Sequence, residues 1–168
     1  PGVAMNVANT YGPGDYAPTP HGRLVAAATA GKLPYVLDAG MACVGIEDAA
    51  DAMVLAEEHG RIGERYIVSE RWLTHLELFQ TAASQGGQQS KKIRVIPMWV
   101  AYTAGFLADC VSALTRKENQ LSVESVRLSH IMNDMDATKA KTELGWRPEP
   151  TLASVRKAAD FYRAQARK

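Results

Sequence analysis

The sequence predicts an α/β fold whose parallel sheet is incomplete. Short apolar segments alternate with helical patterns in the first half of the chain, and helical patterns dominate the second half. No two strand candidates are joined by an obvious hairpin turn, so each strand needs a partner from a distant part of the protein. The 168 residues, 46% of them hydrophobic and 22% charged, suffice for one globular domain with a core.

A strand and a helix open the chain. Residues 3–7 form a short apolar run that ends in the turn-forming residues 11–15. A helix is predicted over residues 22–30, and Gly31 is well placed to terminate it.

Two short strands, at 33–37 and 41–46, lead into a helix at 47–59. Glu47 and Asp48 lie in the first turn of this helix. Because adjacent helical side chains point apart, we interpret them as complementing the helix dipole rather than as a carboxylate pair. The apolar stripe of the helix is predicted to comprise Ile46, Ala50, Met53 and Val54.

A further strand at 65–68 precedes a well-marked helix start. Thr74 has the side chain of an N-cap, and Glu77, three residues later, completes a capping box. Leu73 and Leu78 are spaced for a hydrophobic staple across this turn.

The rest of the chain is mostly helical after a polar loop at 86–90 and a strand at 93–96. Pro97 suits the first turn of a helix, whose stripe is Trp99, Tyr102, Phe106, Cys110 and Leu114. We expect its aromatic residues to form core, and the alternative is that they line an apolar substrate pocket.

Three helices complete the pattern. One spans 121–132, with Val123, Val126 and Ile131 facing inward. Asp136 caps a short helix that ends at Leu144–Gly145. The last helix carries Leu152, Val155, Ala159 and Tyr162 at helical spacing.

Composition argues against several classes of partner. The net charge of +1 provides no electrostatic reason to bind nucleic acid or an anionic membrane. The most apolar stretch, 95–107, is too short to span a bilayer. We therefore expect a soluble protein, and the reduced cysteines and the lack of a signal peptide indicate the cytoplasm.

The sequence contains no pattern that is typical of a metal site. Cys43 and Cys110 are far apart, and we expect each to pack as a small apolar residue. His59, His75 and His130 do not have metal-ligand spacing and are more typical of surface or helix-end positions.

Four segments together carry a family resemblance. They are Asn-Val-Ala-Asn-Thr-Tyr-Gly-Pro-Gly-Asp at 6–15, Cys-Val-Gly-Ile-Glu-Asp-Ala-Ala at 43–50, Gly-Glu-Arg-Tyr-Ile-Val at 63–68, and, within 137–148, Ala-Thr-Lys-Ala followed by Glu-Leu-Gly-Trp-Arg-Pro. In order and spacing they resemble the extended short-chain dehydrogenase/reductase family, particularly its dihydroflavonol-reductase-like and hopanoid-associated sugar-epimerase-like members.

The chain departs from the family pattern in ways that bear on function. Val7, Gly45 and Glu47 stand where the family usually has Pro, often His, and commonly Asp. The Gly-rich fingerprint and the Tyr-x-x-x-Lys pair are absent from these residues, since none of the six tyrosines is followed by Lys four positions later. We therefore predict no catalytic residue in this chain and no turnover by it alone.

The resemblance implies the carboxy-terminal, substrate-binding half of a Rossmann-type extended fold, with a mostly helical substrate-side lobe. Its amino-terminal half would precede Pro1, and the immediate start on an apolar run without Met favours a fragment. The implied cofactor is NAD or NADP, which the missing half would hold more tightly than this one.

The resemblance also implies site residues. Asn6, Val7 and Ala8 end a strand and would face the cofactor, because ligands of open α/β sheets lie outside the strand carboxyl ends. Asn6, Tyr11, His21 and Arg23 would contact substrate.

For several of these residues a simpler interpretation remains open. Asn6 alternatively forms a turn, and Arg23 alternatively lies on the surface. Gly12–Gly14 is more typical of a plain turn than of a phosphate-binding loop.

Three functions fit the sequence. The first is part of an NAD(P)-dependent oxidoreductase or epimerase that acts on a hydroxyl or ketone carbon of a sugar derivative or a cyclic alcohol. The second is a non-catalytic NAD(P)-binding or regulatory relative, and the third is a stand-alone helical interaction domain. Exposed sheet edges also lead us to consider a homodimer.

Overall fold

The computed structural model describes residues 2–88, 92–103, 106, 127 and 132–166. The strands are β1 (Ala4–Val7), β2 (Asn9–Tyr11), β3 (Tyr35–Leu37), β4 (Gly40–Gly45), β5 (Arg65–Val68), β6 (Arg71–Thr74) and β7 (Arg94–Ile96). The helices are α1 (Pro20–Thr29), α2 (Ile46–His59), α3 (His75–Gln85), α4 (Thr138–Glu143) and α5 (Thr151–Gln165). Residues 98–103 are also helical, as the proline at their start predicts.

Parallel pairing dominates the strands. β1 pairs with β5, β2 with β4, and β3 with β7, all in parallel. β6 is antiparallel to β4, so the described strands form three small sheets instead of one. The predicted α/β fold with a partial parallel sheet is confirmed, whereas β2 and β6 are additions to the prediction.

The first core lies where α1, α3 and α5 pack together against β3 and β4. Val25 of α1, Leu78 of α3 and Val155 of α5 are at most 1% exposed. The predicted stripe of the last helix is therefore confirmed, with Leu152 at the margin of this core.

The second core joins β1 and β5 to α2 and α4. Tyr66, Val68 and Ala140 are fully buried in it, and Trp146 closes one end with its Nε1 donating to the Asp48 carbonyl oxygen at 2.9 Å. Residues alternate along β1, so Met5 and Val7 pack on this core while Ala4 and Asn6 are exposed.

The predicted apolar stripe of α2 is wrong. The helix buries Asp48, Ala49, Ala52 and Ala56, whereas Ile46, Ala50, Met53 and Val54 are all exposed. Small alanine side chains let the helix approach the sheet closely, and this close packing outweighs the greater hydrophobicity of the other face.

The aromatic stripe after Pro97 also differs from the prediction. Trp99 is 69% exposed and Phe106 is 63% exposed, so neither forms core with the described residues. Cys110, Leu114 and the inward residues predicted for 121–131 lie outside the described residues.

The predicted helix ends are largely confirmed. Thr74 caps α3 by accepting from the Glu77 N–H at 3.1 Å, although the Glu77 carboxylate pairs with Arg71 rather than completing the box. Asp136 accepts from the Thr138 N–H at 2.8 Å at the start of α4, and Gly145 follows the helix with φ of 70°.

Candidate functional site

A cavity of about 280 Å³ lies where the segment after β2 meets α1 and α5, and we call it the polar cavity. The segment from Thr10 to Asp15 forms one wall of this cavity, and the first turn of α1 forms another. The remaining lining residues are Val25, Ile46, Ala158 and Tyr162.

Tyr11 and His21 come together at this cavity, as the prediction of a shared substrate site requires. The Tyr11 hydroxyl lies 3.4 Å from Nδ1 of His21 and donates to Sδ of Met41 at 3.3 Å. Burial strongly raises the pKa of Tyr11, and partial desolvation of the ring lowers the pKa of His21, although that residue is exposed overall. Both side chains are therefore neutral at pH 7, and can exchange hydrogen bonds with a hydroxyl or a ketone oxygen.

Asp15 and Tyr162 form the opposite end of the polar cavity. The Tyr162 hydroxyl donates to Oδ2 of Asp15 at 2.7 Å, and this hydrogen bond is the main reason why the pKa of Asp15 is lowered. The same carboxylate accepts from the Thr19 N–H and hydroxyl, at 3.0 and 3.1 Å. Thr19 in turn caps α1 by accepting from the Gly22 N–H at 3.0 Å. The start of α1 is thus already occupied by an anion of the protein itself.

Gly22 makes this arrangement sterically feasible. A Cβ atom at position 22 would lie 2.0 Å from Oδ2 of Asp15 and 2.3 Å from the Tyr162 hydroxyl oxygen. Only glycine allows the carboxylate and the phenol to approach the helix so closely.

Arg23 does not line the polar cavity. Its guanidinium donates to the Pro18 carbonyl oxygen at 2.9 Å and is exposed. A contact of Arg23 with substrate therefore stays a prediction.

Asn6, Val7 and Ala8 lie at the carboxyl end of β1, apart from the polar cavity. The Ala8 N–H donates to the Val68 carbonyl oxygen at 3.0 Å, which fixes the chain beside the end of β5. Asn6 is opposite Ile67 and is exposed, while Val7 and Ala8 are half-buried.

A second cavity, of about 210 Å³, shares His21 with the first as a lining residue, and we call it the ring pocket. Four of its lining residues carry rings: His21, Tyr35, His75 and Phe79. Its other lining residues are aliphatic: Leu24, Leu33, Val36, Leu37 and Ile96. Burial, together with the proximity of His21, lowers the pKa of His75.

Sequence reasoning missed three residues of these cavities. Asp15 belongs to the motif at 6–15, but nothing local indicates that it contacts Tyr162, which is distant in the chain. The sequence predicts a helix end at His75, but it contains no signal that this residue lines a pocket. The one local signal was Asp15 followed by Thr19 and Pro20, a spacing that suits a capped helix start.

Neither a metal site nor a membrane span emerges from the described part of the chain. No group of three or more His, Cys, Asp or Glu side chains there could hold a metal ion. Within the same residues, no helix has the length and apolar character needed to cross a bilayer.

No family model matches this sequence. A dihydroflavonol 4-reductase-like protein from Synechocystis sp. is 24% identical over 147 residues, which are 85% of this chain and 43% of that protein. Sterol demethylase protein B from Methylococcus capsulatus is 24% identical over 161 residues, 95% of this chain and 49% of that protein. The chain spans about half the length of these curated relatives.

Solved structures share the fold. The protein called gox2253 superposes with a TM-score of 0.81 at 25% identity, over 98% of this chain and 50% of its own. A nucleoside-diphosphate-sugar epimerase from Pseudomonas aeruginosa superposes with a TM-score of 0.72 at 24% identity, over 97% of this chain and 48% of its own. These matches confirm the resemblance to dihydroflavonol-reductase-like and NAD-dependent epimerase/dehydratase proteins, of which this chain covers about half.

Proposed function

We propose that this chain is the substrate-side part of an NAD(P)-dependent oxidoreductase or epimerase that acts on a hydroxyl or ketone carbon of a small molecule. The observation that carries the proposal is the pair of neutral hydrogen-bonding side chains, Tyr11 and His21, at a cavity that follows a parallel strand pair. Ligands of α/β proteins bind beyond the carboxyl ends of such strands. The relatives named as a reductase and an epimerase support the same class.

The described residues fit only one part of an NAD(P) molecule. Asn6, Val7 and Ala8 end β1 beside β5, where the nicotinamide would approach. The loop at 12–14 leads to the Asp15 carboxylate at the start of α1, which would repel a phosphate. We therefore propose that the cofactor, which would supply hydride transfer, has its diphosphate held by residues outside this chain.

In this proposal the residues of the chain bind and orient the substrate. Tyr11 and His21 bind an oxygen of the substrate by hydrogen bonding, and Asn6, which lies outside the polar cavity at the end of β1, contacts the substrate from the cofactor side. We propose that the acid–base step belongs to a tyrosine outside this chain, because no tyrosine here is followed by Lys four positions later.

Steady-state kinetics of the full-length gene product test the proposal. Asn6→Ala should lower the NAD(P)-dependent kcat by about tenfold or more, as is usual when a group near a reacting oxygen is lost. Asn133→Ala, which changes an exposed asparagine outside both cavities, should leave kcat unchanged.

One outcome would favour the non-catalytic alternative. A full-length product that binds NAD(P) but has no turnover, and lacks Tyr-x-x-x-Lys, would be a non-catalytic relative. The helical interaction domain is not favoured, since the described residues include seven strands.

A homodimer is part of the proposal as well. β1 has β5 as its only strand neighbour among the described residues, which leaves one edge open for pairing. Sedimentation equilibrium of the chain at several concentrations would show the dimer, and a monomer throughout would exclude it.

A further inference from the structure

His21 lines both the polar cavity and the ring pocket, so a ring in one cavity and an oxygen atom in the other would lie beside the same imidazole. The chemistry of the two linings limits which substrate binds there. A substrate class assigned to these cavities rests on the proposed function, because it concerns the same site.

Neither cavity offers a cation to an anionic substrate. None of the described lining residues is Lys or Arg, and the Arg23 guanidinium donates to the Pro18 carbonyl oxygen. The polar cavity instead contains the Asp15 carboxylate. A diphosphate placed here would bring further negative charge next to this group, and its own charges would lose hydration without gaining an opposite charge.

Unpaired N–H groups at a helix N-terminus can bind an anion in place of a cationic side chain, but the start of α1 does not offer the Gly22 N–H for this. The first turn of α1 faces the polar cavity, but its Gly22 N–H is directed to the Thr19 hydroxyl, which Asp15 holds in place. An added anion would have to displace Asp15, whose hydrogen bonds to Thr19 and Tyr162 stabilise its charged form.

The two histidines do not supply positive charge at neutral pH. Burial lowers the pKa of both His21 and His75, so the imidazoles are uncharged at pH 7. In the unliganded chain they can bind a neutral hydroxyl or ketone oxygen, and they present no positive charge that would attract a phosphate.

The ring pocket has the size and lining for one apolar ring. An apolar cavity of about 150 Å³ accommodates benzene, so about 210 Å³ is enough for a six-membered ring with a small substituent. His75 and Phe79 both line the pocket, with ring centroids 6.0 Å apart and planes tilted by 48°, and aromatic side chains of this kind favour contact with another ring. Leu24 and Tyr35 are 40% and 49% exposed, which leaves the pocket accessible from outside.

We propose that the two cavities bind a neutral substrate, with an apolar six-membered ring in the ring pocket and the hydroxyl or ketone toward the polar cavity, in preference to a nucleotide-diphosphate sugar. The oxygen then lies near His21 and Tyr11, and no charge needs to be buried. The substrate class is a cyclic alcohol or ketone.

Methyl resonances of the intact chain provide the test, with p-cresol as the neutral ring probe and uridine diphosphate as the anionic comparison. We expect p-cresol to shift the Leu24, Val36 and Ile96 methyl signals saturably, with a Kd of about 1 mM for so small a ligand. Uridine diphosphate at the same concentrations should leave them unchanged. Equal or larger shifts with uridine diphosphate, or no shifts with p-cresol, would overturn the proposal.

A matched pair of lysine variants locates the binding. Leu24→Lys places a charge at the pocket mouth and should weaken p-cresol binding at least about fivefold. Leu76→Lys changes a leucine of similar exposure, 37%, that does not line the pocket, and should bind like the original chain. If Leu24→Lys perturbs the fold, Tyr35→Lys makes the same comparison from β3. Identical binding by the original chain and by a folded pocket-mouth variant would overturn the assignment.

The outcome is separable from that of the proposed function. If the chain binds p-cresol but the full-length product shows no NAD(P)-dependent turnover, the proposed reaction is contradicted and the proposed ligand class of the ring pocket is retained. Turnover restricted to nucleotide-diphosphate sugars would support the reaction class and overturn the ring pocket.

Discussion

The Tyr162 hydroxyl donates a 2.7 Å hydrogen bond to the Asp15 carboxylate across almost the whole length of the chain. This contact joins α5 to the loop before α1 and closes one end of the polar cavity. It also lowers the pKa of Asp15, with a smaller effect from the hydrogen bonds of Thr19.

Replacing the tyrosine by phenylalanine should therefore raise the pKa of Asp15. A lowered carboxyl pKa contributes stability that is present above the unfolded-state pKa and is lost as pH falls through the folded-state pKa. Tyr162→Phe should reduce that acid-side dependence and cost about 1 kcal/mol at pH 7, a low figure for a charged hydrogen bond because Asp15 is partly exposed. NMR titration of the Asp15 carboxyl carbon and urea unfolding from pH 2 to 7 measure both effects. Tyr16→Phe, at a side chain that is 77% exposed, is the control and should change neither.

Gly22→Ala should destabilise the chain even though alanine is the better helix former. The intrinsic gain of up to about 1 kcal/mol is opposed by a Cβ atom placed 2.0 Å from the Asp15 carboxylate, which has to move. In an Asp15→Ala/Tyr162→Phe background both obstructing oxygens are gone, so the same change should cost less or stabilise. Equal effects in the two backgrounds, measured as free energies of unfolding, would contradict the steric explanation.

Glu143 links α4 to the loop after α2. Its carboxylate accepts from the Tyr66 hydroxyl at 2.9 Å and from two nitrogens of the Arg61 guanidinium, at 2.7 and 3.1 Å. Glu143→Ala should cost about 1–2 kcal/mol, since the buried Tyr66 ring loses the acceptor for its hydroxyl.

The control for Glu143 is Glu47→Ala. Glu47 pairs with Lys157 and lies in the first turn of α2, but both side chains of the pair are well exposed, so its loss should cost less than the loss of Glu143. Comparable losses of unfolding free energy in the two variants would show that Tyr66 contributes nothing to the effect at Glu143.

The Cys43 thiol should be unreactive in the folded chain. Cys43 is 0% exposed in β4, and burial raises its pKa to about 12, so almost no thiolate exists at pH 8. Iodoacetamide treatment followed by mass spectrometry should find Cys43 unmodified without denaturant and modified in urea. Rapid modification under native conditions would contradict its placement in the core.

Much of the fold could be predicted from the sequence because the relevant signals are local. Gly31, Thr74 and Gly145 mark helix ends through their own backbone or side-chain chemistry, and the structure has ends at those places. The apolar runs at β1 and β5 are also local signals, and they predict strands directly.

The features that sequence reasoning missed depend on distant contacts. β2 and β6 are only three and four residues long, and each is a strand because β4 lies beside it. The orientation of α2 was predicted wrongly because hydrophobicity favours Met53 and Val54, whereas close packing against the sheet favours Ala52.

The same distinction holds in the candidate site. Tyr11 and His21 could be found through a contiguous motif and a helix start. No local sequence signal indicates the hydrogen bond between Asp15 and Tyr162. Arg23 was predicted to contact substrate from the family resemblance alone.

The parallel pairing has a consequence for how the chain acquires its structure. Ala4 is opposite Arg65, and Tyr35 is opposite Arg94, so each pair closes a loop of about 60 residues. The entropy lost in closing such loops comes before the contacts that offset it, which makes folding slow relative to a helical bundle of this size. During synthesis β1 therefore leaves the ribosome without its β5 neighbour, and it remains open to pairing with other chains until Val68 has emerged.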